Sequence, residues 1–226
     1  MKPTEKEINI ALNIVDALCA EGLKNELVYS GHGKWAENEG KKIMKDMGIR
    51  YNYGATKFVL VCEDLENWVI KLSYGVSESF IKETGISNFC AREAENYEVA
   101  CKKNLGQFFA ATYKVGTIQG VDIFLQERVD PDNELFYTYL EEYVDEWYSD
   151  SDREEENYWN MVEEDIFELE DGEKLEAIFR QDYTVEEIRE LIEFCEDYDI
   201  NDLHECNYGV TPDKRNVIID FSGYSC

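Results

Sequence analysis

The chain has 226 residues, 44% hydrophobic and 13% aromatic, which excludes a disordered tail and allows one domain or two small lobes. Its formal net charge is −28, so direct binding to nucleic acid is disfavoured by phosphate repulsion. The longest apolar runs, such as 58–62, are too short to cross a bilayer.

The first predicted element is a helix. Thr4-Glu5-Lys6-Glu7 spells a capping box, Ile8, Ala11, Ile14, Val15 and Leu18 follow at helical spacing, and Gly22 stops it. A weaker helix is expected over 35–47, ended by Gly48. The period then changes to two. Residues 51–53, a turn at Gly54-Ala55-Thr56 and residues 57–62 read as a β-hairpin, and 68–72 as a third strand after a turn at 64–67. Residues 74–86 are polar and punctuated by glycine. A helix is expected over 89–103, with Phe89, Ala94, Tyr97 and Cys101 on or near one face. Two strands follow, 111–117 and 121–129, joined at Gln119-Gly120. Beyond Pro131 the pattern is helical over 135–148, 158–169, 173–179 and 185–198, with Leu135, Tyr139 and Tyr143 expected to pack inward. The final stretch, 201–226, carries Asp202, Asn207 and Asp220, with a hairpin turn at Thr211-Pro212-Asp213-Lys214 and the β-branched run 217–219 before Asp220.

The charge is uneven. Residues 130–199 hold 28 acidic and 4 basic side chains, against 22 acidic and 18 basic elsewhere. This acidic insert reads either as a solvated face or as a surface for a basic protein partner. Seven scattered cysteines without CxxC spacing, and a start that leads into no signal-peptide core, fit reduced thiols in a cytoplasmic protein better than zinc or a disulfide framework.

The order strand, turn, strand, strand with Lys71, helix with Glu93 and Glu95, two strands, helices, then D-L-H-E-C-N at 202–207 and Asp220-Phe221 resembles the protein-kinase-like superfamily over 51–224. The spelling Asp202-Leu203-His204 is closer to its aminoglycoside- and choline-kinase-like branch, and to small bacterial and phage kinase-like proteins, than to typical protein kinases. The resemblance implies an α+β, two-lobed fold. An N-terminal helical extension over 1–50 precedes an antiparallel N-lobe over 51–129. A reduced, acidic, mostly helical C-lobe spans 130–226, since the chain ends where kinases continue into an activation segment.

It also implies binding of ATP with Mg²⁺ and transfer of the γ-phosphate to a hydroxyl, or the same fold acting as a pseudokinase through a partner. A third reading is an acidic decoy that occupies a basic protein surface with residues 130–199. By the resemblance, Lys71 pairs with Glu93, or with Glu95, and clamps the phosphates. Gly54 and Thr56 form a reduced phosphate-binding turn. Glu127 and Val129 bond the adenine through their backbones, with Gln126 as gatekeeper. Asp202 acts as base, and Asn207 and Asp220 hold the metal. The sequence departs from the family at Ile200-Asn201, where His-Arg is usual, and at Ser222, where glycine is usual.

Overall fold

The computed structural model describes residues 1–28, 34–131, 133–155 and 157–223, the side chains of Val28 and Asn133 excepted. Tyr224 and Cys226, at the end of the final stretch, lie outside the described residues. The fold is α+β and contains a five-stranded antiparallel sheet. It divides into two units. The first holds the described residues of Met1–Lys102 with Ala110–Arg128, and the second holds Lys103–Phe109 with the described residues from Val129 onward.

The first unit opens with α1 (Glu5–Ala20). Its capping box is formed: the Glu7 N–H donates to Thr4 Oγ1, and the Thr4 N–H donates to the Glu7 carboxylate at 2.7 Å. Ala11, Ile14, Val15 and Leu18 are buried along one stripe. A short helix α2 (Leu23–Val28), not read from the sequence, follows. The single helix expected over 35–47 is two, α3 (Lys34–Glu37) and α4 (Glu39–Asp46), broken at Asn38. Trp35 explains the break. Its ring folds over Gly40 so closely that a Cβ there would lie 2.6 Å from it. In one continuous helix those two positions, five apart, would face different ways.

The sheet comprises β1 (Ile49–Tyr53), β2 (Lys57–Cys62), β3 (Trp68–Ser73), β4 (Thr112–Ile118) and β5 (Val121–Glu127), in the order β1-β2-β3-β5-β4. Gln119 and Gly120 both adopt positive φ, 51° and 84°, the turn whose twist suits a two-residue hairpin. Alternation sets the two faces. Phe58, Leu60, Ile70, Leu72, Ile123 and Leu125 join the α1 residues in one apolar core. Their neighbours one position along, Lys57 and Lys71 among them, therefore point to the opposite face.

Between β3 and β4 lie α5 (Glu78–Thr84) and α6 (Phe89–Lys102). The first replaces part of the polar stretch expected over 74–86. Ser77 caps it by accepting from the Phe80 N–H at 3.2 Å, and Gly85 ends it in the left-handed region. The buried residues of α6 are Phe89, Cys90, Glu93, Asn96 and Ala100; of the expected positions Phe89 is buried, Ala94 and Tyr97 are half-buried, and Cys101 is exposed.

The second unit contains α7 (Asn133–Asp145), α8 (Tyr158–Glu168), α9 (Asp171–Phe179), α10 (Val185–Asp197) and a hairpin of β6 (Tyr208–Val210) and β7 (Asn216–Ile218). On α7 the inward positions are Phe136, Leu140 and Val144, one residue along from the expected Leu135, Tyr139 and Tyr143, which sit half-buried at the boundary. Tyrosine belongs there because its hydroxyl needs a polar partner; that of Tyr143 donates to Glu176 at 3.4 Å. Phe109 packs on Phe221 and Phe194, at ring separations of 5.0 and 5.6 Å. No helix among the described residues is long and apolar enough to cross a membrane.

Candidate functional site

Each unit carries part of the predicted site. In the first, Glu93 is fully buried on α6 and faces the sheet. Its carboxylate lies 2.7 Å from Lys71 Nζ and 2.9 Å from Lys57 Nζ. Both lysines are buried as well. Ionised groups are taken from water only at high cost unless paired at close range, and here one carboxylate holds two ammonium groups. Glu93 rather than Glu95 is the partner of Lys71, since Glu95 is exposed.

Lys57 is a further residue of this cluster, and the hairpin register implicates it. Val59 pairs with Lys71, and Lys57 pairs with Ser73, so the two lysines are diagonal neighbours on one face.

Gly54 and Thr56 sit in the β1–β2 turn. The Gly54 N–H donates to the Lys57 carbonyl at 3.0 Å, and the Thr56 carbonyl accepts from the Tyr74 N–H at 3.0 Å. Glu127 ends β5, where its N–H donates to the Ala111 carbonyl at 2.8 Å and its carboxylate accepts from the Ala111 N–H at 3.1 Å. Gln126 is buried and donates to Thr112 Oγ1 at 2.9 Å. Val129 belongs to the second unit and covers Gly209, where a Cβ would lie 2.5 Å from its Cγ2.

In the second unit the loop 202–207 is built around Asn207. Its side-chain N–H donates to the Asp202 carbonyl at 2.8 Å and touches His204 Nε2 at 3.0 Å. A carbonyl can only accept, so the nitrogen end of the amide must face Asp202, and Oδ1 is turned the other way. Leu203 is buried and anchors the loop, while Asp202 is exposed. The Ile219 N–H donates to the Asn207 carbonyl at 3.0 Å, which ties the residue before Asp220 to the same loop. Ser222 Oγ donates to Asp220 Oδ1 at 3.3 Å. Phe221 is buried behind them. Gly223 follows with φ +73°, and a Cβ there would lie 2.5 Å from the Tyr198 carbonyl oxygen. Only glycine fits that position without strain.

Asn207 and Asp220 thus offer oxygen donors from two segments joined by a backbone hydrogen bond, a donor set that suits a hard cation such as Mg²⁺. His204, Glu205 and Cys206 also bring one ligand atom each within 4.8 Å of one another. Two of these have partners within the unit: His204 Nδ1 accepts from the Cys206 N–H, and Glu205 from the Tyr137 hydroxyl. No family model, curated protein or solved structure matches the chain.

Proposed function

We propose that the protein is a two-lobed, protein-kinase-like protein that binds Mg²⁺–ATP and transfers the γ-phosphate to a hydroxyl of a protein or small molecule. The observation that carries this reading is the buried Lys71–Glu93 ion pair between β3 and α6. A lysine fixed on a central strand by a helical carboxylate is a pre-set positive group, and phosphoryl transfer depends more on such placement and charge than on covalent help from the protein. The arrangement of Asp202, Asn207 and Asp220 is the second support.

In this reading Lys71 contacts phosphate oxygens and Glu93 holds it in place, with Lys57 on the same carboxylate. Asn207 Oδ1 and Asp220 hold the metal, which neutralises phosphate charge when bound. Asp202, exposed and acceptor-only when ionised, takes the proton of the attacking hydroxyl as its oxygen bonds to phosphorus and the bond to the ADP oxygen breaks. Six described cysteines are free thiols, which suits a cytoplasmic, ATP-containing compartment.

Thermal unfolding with ATP, with and without Mg²⁺, tests the reading. ATP is expected to stabilise the protein only with Mg²⁺, by an amount that grows with ligand concentration over its dissociation constant. Asp220→Asn should remove that gain. Asp202→Asn should keep it and lose transfer. Absence of any shift at saturating ATP would discard the ATP site, and binding without turnover would leave a partner-binding pseudokinase.

A further inference from the structure

The second unit exposes two large rings that its own core does not use. α8 buries Tyr158, Val162 and Ile166. Beside that stripe Trp159 is 70% exposed, and farther round the helix Phe167 is 74% exposed. They are two turns apart on adjoining parts of one face, about 12 Å along the axis at 1.5 Å per residue. Glu163 lies between them, Glu164 and Glu168 beside them, and α8 contains no basic residue. Trp159 is backed by Tyr158, with ring centroids 5.1 Å apart. Exposed aromatic clusters framed by charge mark contact surfaces.

We propose that this face of α8 binds a lysine- or arginine-rich amphipathic segment of another protein. Its apolar side chains would cover Trp159 and Phe167, and its cations would meet Glu163, Glu164 and Glu168. Charge selects this occupant. The surrounding segment, 130–199, holds 28 acidic and 4 basic residues, so a second copy of the chain would bring the same charge against it. Anionic lipid and nucleic acid are repelled for the same reason. A basic segment without apolar side chains would leave both rings in water, whereas an amphipathic one satisfies rings and carboxylates together. Cations above the Trp159 face add attraction. This inference does not depend on nucleotide binding.

The test titrates the full chain with a synthetic Leu/Lys peptide whose leucines recur at helical spacing, against a Ser/Lys peptide of equal charge, by isothermal calorimetry. Saturable one-to-one binding of the Leu/Lys peptide is expected, weakening as salt rises to physiological strength. The double variant Trp159→Ser/Phe167→Ser should weaken it about tenfold or more, the scale of aromatic anchors, with little effect on the Ser/Lys peptide. Both rings are exposed, so the variant should keep the wild-type circular dichroism. Glu163→Lys/Glu168→Lys keeps the rings and should also lose binding. Equal affinity of the two peptides, indifference to the ring substitutions, or wild-type self-association that those substitutions abolish would each overturn the proposal.

Discussion

Replacing Glu93 by glutamine should destabilise the first unit more than any other single change at the site. Glu93 is fully buried, and its carboxylate holds both Lys71 and Lys57 at 2.7 and 2.9 Å. The amide keeps the shape and can accept one hydrogen bond, worth about 1 kcal/mol, but it removes the negative charge that both ammonium groups contact. Breaking a buried ion pair by deleting one partner costs about 3–5 kcal/mol. After the retained hydrogen bond a net loss of about 2–4 kcal/mol remains. For a chain of this length each kcal/mol moves the thermal midpoint by about 2–4 °C, so a fall of at least ~4 °C is expected. Urea unfolding followed by circular dichroism gives the free energy directly. Lys57→Met should cost less, because Glu93 keeps its contact with Lys71. If Glu93→Gln lies within about 0.5 kcal/mol of wild type, the range of ordinary surface changes, the buried ion pair does not hold the first unit together in solution.

Gly223→Ala should cost at least ~1 kcal/mol in urea, from the left-handed backbone alone, with the contact to the Tyr198 carbonyl added. Gly54→Ala, where a Cβ would meet nothing within 4 Å, is its neutral counterpart. Asn207→Asp should cost about 1–3 kcal/mol, because a carboxylate at this buried position cannot donate to the Asp202 carbonyl; a stability equal to wild type would contradict the amide orientation given above. The Thr184 backbone N–H and hydroxyl hold the Glu187 carboxyl below the usual carboxylate range. That stabilisation is present above the ordinary glutamate pKa and is lost as pH falls through the lowered folded value. Glu187→Gln should therefore differ from wild type at neutral pH and converge with it in acid, as read from midpoints across pH.

The parts legible in the sequence are those where local chemistry and tertiary packing agree. Thr4 and Glu7 announce α1, short apolar runs bounded by turn residues announce β2 and β3, and Gln119-Gly120 announces the β4–β5 hairpin. The Lys71–Glu93 contact follows from none of these; it is what the kinase-like resemblance implies, with Glu95 as the alternative. What was missed has identifiable causes. On α6 two of the buried members, Glu93 and Asn96, are polar, so counting apolar residues skips them. On α7 two apolar stripes run side by side at the same spacing, and periodicity alone cannot say which one faces inward. α5 has seven residues, too few to be stable without packing; Phe80 against Phe89, with ring centroids 5.7 Å apart, supplies it. A lysine beside a hairpin turn is ordinarily solvated, and only the pairing register puts Lys57 next to Lys71.

Calorimetric titration of Mg²⁺–ATP into the wild-type chain and into Lys71→Met puts the proposed nucleotide site to the test. Saturable one-to-one binding to wild type that needs Mg²⁺ is expected, and its loss in Lys71→Met, while that variant still unfolds cooperatively. Binding that survives Lys71→Met unchanged, or no heat with wild type at millimolar nucleotide, would contradict it.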